Sequence, residues 1–227
     1  MALRRLETAA KMNPEHPGVH FQLATIYRAR GEKERAASEL RSFRELTSRQ
    51  ETKWRADALE RAAGRAIEQG DLAQGISALS QAFEARPDAE LARNLALAYL
   101  QQGDHGKAQQ YIEKALALSP GDAAAYNYLG LIAAQNGNLE LAVVQFDKAA
   151  QLDPKLVDAL FNAGVAASEL RRYEAAIERF RASLRQSNTK RTREALALAL
   201  AGAGRYEESQ QEFDAAQRQD AAASSSR

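Results

Sequence analysis

The chain holds three histidines, and two of them, His16 and His20, stand four residues apart. On a helix that spacing puts two side chains on one face, where their nitrogens could share a metal such as zinc. No third ligand lies near them in sequence, and the chain contains no cysteine. A surface pair at a helix start is therefore the expectation. His105 falls in a Gly-Asp-His-Gly turn and is expected to be solvated. Gly202-Ala203-Gly204 has glycines but lacks the lysine and preceding strand of a phosphate-binding loop. Glu207-Glu208 pairs two carboxylates, yet at a polar helix start they serve to complement the helix macrodipole. No Ser/His/Asp grouping stands in a recognisable context. These residues argue for a chain that is not an enzyme and takes no metal or cofactor. The basic cluster Lys190, Arg191 and Arg193, with Arg185, Arg171 and Arg172, is balanced by Glu169, Glu174, Glu178 and Glu194 and reads as a solvated face. With 31 basic and 30 acidic side chains, there is no global field to draw nucleic acid.

The elements that carry these residues are helical by composition. Of 227 residues 48 are alanine, against 13 glycine and 5 proline, a balance that favours helix. The absence of cysteine excludes a disulfide-stapled scaffold. At 45% hydrophobic and 27% charged the chain can bury a core, which excludes global disorder. Its longest apolar run, Ala195–Ala201, falls far short of the roughly 18 residues of a membrane span. Residues 1–14 are charged at Arg4, Arg5, Glu7 and Lys11, unlike a signal peptide, which leaves a cytoplasmic location as the default.

Punctuation then reveals a repeat. Pro87, Pro120 and Pro154 are 33 and 34 residues apart, and Gly70-Asp71, Gly103-Asp104 and Gly137-Asn138 keep the same period between them. The unit is helix, Gly turn, helix, Pro turn, with glycine supplying the left-handed cap and proline stopping the second helix. Columns agree across units. One reads Tyr126, Leu129, Gly130, Ala133, Gly137, Ala142, Phe146, Ala149 and Pro154. Another reads Ala92, Leu95, Ala96, Tyr99, Gly103, Ala108, Ile112, Ala115 and Pro120. Others carry Leu160, Ala163, Gly164, Ala167, Ala176 and Phe180, or Leu59, Ala62, Ala63, Ala66, Gly70, Gly75, Leu79, Ala82 and Pro87.

These columns resemble the tetratricopeptide repeat, whose 34-residue motif places a large residue, Leu-Gly or Leu-Ala, Tyr, Ala, Phe or Tyr, Ala and Pro at these spacings. The resemblance implies an all-α fold, a right-handed superhelical solenoid of antiparallel helix-turn-helix repeats. It assigns 1–16 to the second helix of a partial repeat or an N-terminal lid. Repeat 1 is 17–50, followed by an insert at 51–55. Repeats 2 to 5 are 56–88, 89–122, 123–156 and 157–189. Residues 190–217 form repeat 6 or a C-terminal cap, and 218–227 a flexible tail. Trp54 in the insert is expected to extend the following helix and to pack on Phe43 or Leu59. Small residues at Ala96, Gly130 and Gly164 should meet Ala108, Ala142 and Ala176 where the helices of one unit cross.

In this family the first helix of each unit lines a concave groove. The resemblance therefore implies a partner-binding surface of Arg93, Asn94, Leu97 and Gln101 in one unit, Asn127, Tyr128 and Leu131 in the next, and Phe161, Asn162 and Val165 in the third. Asparagine amides can bond an extended peptide, and Tyr128 and Phe161 would add apolar area. The lysines of members that clamp a chaperone's C-terminal carboxylate are missing here, and Tyr128 interrupts an asparagine ladder between Asn94 and Asn162. The functional expectation is a non-catalytic scaffold that binds a peptide or helical segment of a partner protein. The alternatives are an accessory array of a larger enzyme or secretion machine, suggested by the mid-repeat start, and self-association through the N-terminal helix.

Overall fold

The computed structural model describes residues 2–225, with side chains through Gln219. Twelve helices and no strand are found among them. The chain divides into two compact units, Met1–Pro87 and Asp88–Arg227.

The first unit holds α1 (Ala2–Met12), α2 (Pro17–Ala29), α3 (Lys33–Glu68) and α4 (Leu72–Ala85). Helix α1 packs on α2, α2 on α3, and α3 on α4. Leu3, Leu6 and Ala10 of α1 lie with Val19 against the buried Leu23, Tyr27 and Ala36. The Tyr27 hydroxyl donates to Glu7 at 2.9 Å, which pins α1 in place. The period predicts a break between the first two full units, but the backbone runs on. Residues 51–55 are the middle of α3, a helix of 36 residues, about 54 Å long at the usual rise. The local reason is the absence of a stop signal: Ser48 stands where proline ends other units, and Gly64 is the one glycine between Lys33 and Glu68. The early part of α3 meets α2 and the late part meets α4, so this helix serves two hairpins. Trp54 sits between them and is 65% exposed, which corrects its expected packing. Phe43 instead faces Phe21, ring centroids 5.2 Å apart.

The second unit is a solenoid of four hairpins. These are α5 (Ala89–Gln102) with α6 (His105–Leu118), α7 (Ala123–Gln135) with α8 (Leu139–Leu152), α9 (Val157–Glu169) with α10 (Tyr173–Gln186), and α11 (Lys190–Gly202) with α12 (Tyr206–Ser225). Each second helix packs on the first helix of the next hairpin. Helix α12 continues through Ser225, so the segment read as a flexible tail is helical as far as it is described; 226–227 lie outside the described residues.

The paired Gly-Asp punctuation acts in two steps. Gly103 ends α5 at φ 82°, a conformation that costs glycine no Cβ clash. Asp104 then accepts from the Lys107 amide at 3.0 Å and caps α6, the kind of bond that is typically worth about 1 kcal/mol. Asp71, Asp88, Asp122 and Asn138 cap their helices in the same way. At the corresponding turn between α9 and α10 the residue with positive φ is Arg171, at 56°.

The small columns sit where helices cross. A Cβ on Gly130 would stand 2.5 Å from the Phe146 ring, and one on Gly164 would stand 2.6 Å from Phe180. The atoms pressed most closely against these glycines belong to the aromatic column, and Ala142 and Ala176 are fully buried on the same second helices. Phe146, Phe161 and Phe180, with Val143, Ile177, Leu196 and Leu200, make one continuous core. Among the described residues no helix is long and apolar enough to cross a membrane.

Candidate partner-binding groove

The first helices α5, α7 and α9 carry the predicted groove residues, and their side chains separate into two sets. The first set forms a seam between successive first helices. Arg93 on α5 ion-pairs with Asp122, the capping residue of α7. Asn127 on α7 is 8% exposed, and its Oδ1 accepts from Asn162 Nδ2 on α9 at 3.2 Å. Phe161 on α9 lies in the core with Phe180, centroids 5.6 Å apart, and the Arg191 guanidinium of α11 lies 4.0 Å from its ring centroid. These three residues occupy one column, five places into each repeat. The reading of Phe161 as apolar lining of an open groove is therefore corrected: its ring is core, with a cation over it. Arg93 and Asn127 are likewise engaged with the neighbouring repeat.

The second set faces outward. Leu97 and Gln101 are exposed, and Asn94, Tyr128, Leu131, Asn162 and Val165 are half-buried. Leu131, Asn162 and Val165 come together. With Ala134, Leu139, Phe146, Ala166 and Glu169 they line a cleft of about 90 Å³. Its walls are apolar, and at its lip stand one amide and one carboxylate. The bond to Asn127 uses one of the two Nδ2 donors of Asn162.

Sequence reasoning missed the link between Asn127 and Asn162. It sought one asparagine column and found it broken at Tyr128, but the bond steps across by one position. Its only sequence signal is the Asn-Tyr and Phe-Asn order in consecutive repeats. The role of Arg191 was missed because it was counted only as one charge of a basic cluster. Three others of that cluster are paired: Arg193 with Glu212, Arg172 with Glu140 at 3.7 Å, and Lys190 with Glu194 at 3.6 Å.

Two of the histidines also find partners. His105 Nδ1 lies 3.1 Å from Asn136 Oδ1, a solvent-exposed contact that bridges α6 to the end of α7. His20 is half-buried: its Nδ1 is 2.6 Å from Glu39 on α3, and its Nε2 is 2.7 Å from the Pro14 carbonyl. Partial burial opposes charge on this ring, but the bonds to Glu39 and Pro14 outweigh it and raise the His20 pKa. Both nitrogens face acceptors, an arrangement that the imidazolium satisfies and a neutral ring does not. Among the described residues no group of three or more His, Asp or Glu side chains is placed to hold a metal ion.

Family models described as tetratricopeptide repeat match residues 2–49, 60–123, 93–157 and 157–189. Between residues 2 and 189 the one stretch they skip, 50–59, lies inside α3, and no match extends over 190–227. Among solved structures, MamA from AMB-1 is similar at 27% identity and a TM-score of 0.59, covering 73% of this chain and 92% of that one. MamA from MSR-1 is similar at 26% identity and a TM-score of 0.60, covering 74% and 98%. An RS-1 MamA double mutant shares the fold at 16% identity and a TM-score of 0.67, covering 75% and 97%. No curated protein matches the chain.

Proposed function

The chain belongs to the tetratricopeptide-repeat family, a class of protein-interaction scaffolds, and from that premise we propose that it holds a segment of a partner protein against the first-helix face of α7 and α9. The observation that carries this reading is the cleft of Leu131, Asn162, Val165 and Glu169. Its chemistry suits an extended peptide or helical segment that inserts one aliphatic side chain and carries a lysine or arginine nearby. Arg93, Asn127 and Phe161 hold the lining helices in register and make no direct contact with the partner. The role is recognition, with no chemical step. To test it, Leu131→Glu, Asn162→Ala and Val165→Glu are combined and partner capture is measured beside the unaltered chain. Loss of captured protein with unchanged circular dichroism supports the cleft; undiminished capture refutes it.

Self-association through α1 is a second reading, motivated by the absence of any buried residue in that helix. It requires α1 to leave α2, since Leu3, Leu6 and Ala10 pack there. Light scattering on chains with and without residues 1–16 tests it: association that survives the deletion removes this reading.

A further inference from the structure

The continuity of α3 leaves one hairpin without a neighbour that other hairpins have. In the second unit each first helix is packed by the second helix of the preceding hairpin: α7 by α6, α9 by α8, α11 by α10. The covered face carries the third and tenth residues of each repeat, two turns apart on one side of the helix. Ala125 and Ile132 of α7, Ala159 and Ala166 of α9, and Thr192 and Ala199 of α11 are all buried. Ile132 shares a cleft with Gln109 and Glu113 of α6, and Ala166 shares one with Phe146 of α8.

In the repeat at 56–88 the same two columns hold Ala58 and Arg65, and both are exposed. The helix that should cover them is the early part of α3. It continues straight into residues 56–68 and cannot fold back on itself. What remains is a cleft of about 500 Å³, lined by Ala62, Arg65, Ala66 and Gln69 of α3 and by Gln74, Ser77, Ala78 and Gln81 of α4. Its floor is small and apolar and its rim is amide-rich. Arg61, also exposed on α3, stands one turn before Arg65 and extends the basic edge.

The other end of the chain presents the complementary defect. Phe213 of α12 occupies the column of Phe146 and Phe180. Those two rings are 1% exposed, whereas Phe213 is 44% exposed. No helix follows α12 among the described residues to cover it. The exposed flank of α12 beside Phe213 carries Glu207 and Asp214, with Arg218 one turn further on.

We propose that α12 of one copy docks on the open α3–α4 face of a second copy, so that the chain associates head to tail. Phe213 enters the Ala62–Ala66–Ala78 floor beside the Arg65 guanidinium, and Glu207 and Asp214 meet the Arg61–Arg65 edge. A second helix of one array thereby fills the place from which α3 withholds one. The contact is heterologous: each copy offers two different surfaces and keeps one unfilled, so association continues into chains of copies. This interface uses neither the α7–α9 cleft nor α1.

The test is sedimentation velocity over a range of concentrations on the full chain, on Arg65→Glu, on Phe213→Ala and on a one-to-one mixture of the two variants. Both substituted side chains are exposed, and circular dichroism checks that the fold is kept. The unaltered chain should show a weight-average mass that grows with concentration, and each variant alone should associate about tenfold or more weakly. The mixture should stop at a one-to-one pair, because the Arg65→Glu copy keeps its α12 and the Phe213→Ala copy keeps its open face. A monomer at all concentrations, association indifferent to either substitution, or a mixture no larger than its components overturns the proposal. Association lost only when residues 1–16 are removed also overturns it and places the contact at α1.

Discussion

Adding a single methyl group at Gly130 should destabilise the second unit, while the same change at Gly64 should stabilise the first. An alanine Cβ at Gly130 would lie 2.5 Å from Cδ1 and Cε1 of Phe146 and 2.9 Å from its Cγ. Carbon atoms pack best near 3.5–4.0 Å, so the ring must retreat by about 1 Å. Phe146 is 1% exposed and belongs to a continuous core. Overpacking of this kind costs about 1–3 kcal/mol, and the better helix propensity of alanine returns about 0.5–1 kcal/mol. A net loss of about 1–2 kcal/mol is expected for Gly130→Ala. At Gly64 nothing lies within 4 Å of the added carbon, so only the propensity gain of about 0.5–1 kcal/mol remains. At this chain length 1 kcal/mol corresponds to about 2–4 °C in Tm. Scanning calorimetry, with far-ultraviolet circular dichroism as a second probe, should give shifts of opposite sign for the two variants. In a Phe146→Leu background, which shortens the opposing side chain, the penalty at Gly130 should shrink or vanish. A Gly130→Ala protein that melts above the parent, or a penalty unchanged by Phe146→Leu, would refute the assignment of this crossing.

Three further outcomes follow from the same contacts. Ala142, fully buried in the core, should cost about 1–3 kcal/mol when enlarged to leucine, and an unchanged midpoint in denaturant titration would contradict the burial of this column. Arg171→Gly should raise stability by up to about 1 kcal/mol, because a side-chain-bearing residue at φ 56° pays a strain that glycine does not; a lowered Tm would refute this. His20 has a raised pKa in the folded state despite its partial burial, through its bonds to Glu39 and Pro14. Its contribution is therefore complete below the ordinary value of 6.5 and is lost as pH rises through the folded-state value. Hydrogen-exchange protection in α1 and α2, corrected for the intrinsic pH dependence of amide exchange, should fall over that rise, and His20→Gln should remove the fall; protection that is flat in the parent, or identical in the variant, would count against it.

Much of this architecture was legible in the residues because the repeat is a local code. Glycine followed by aspartate or asparagine marks a turn and the next cap through backbone sterics and one short hydrogen bond, and neither depends on distant neighbours. Alanine and glycine at fixed spacing mark close crossings because only small side chains let two helices approach. Period and turn position thus followed from the sequence alone. Tertiary structure decided the remainder, since burial is a property of neighbours. Phe161 and Val165 are four residues apart on one helix, yet α10 and α11 enclose the first and leave the second at the edge of a cleft. Asn127 and Asn162 bond across a one-position offset that no single column reveals. Ser48 and the residues that follow it could each end a helix or continue one; unbroken hydrogen bonding carries α3 through them. That continuity exposes Trp54 and leaves Arg65 bare where other repeats bury an alanine or isoleucine, because a straight helix cannot also lie against its own side.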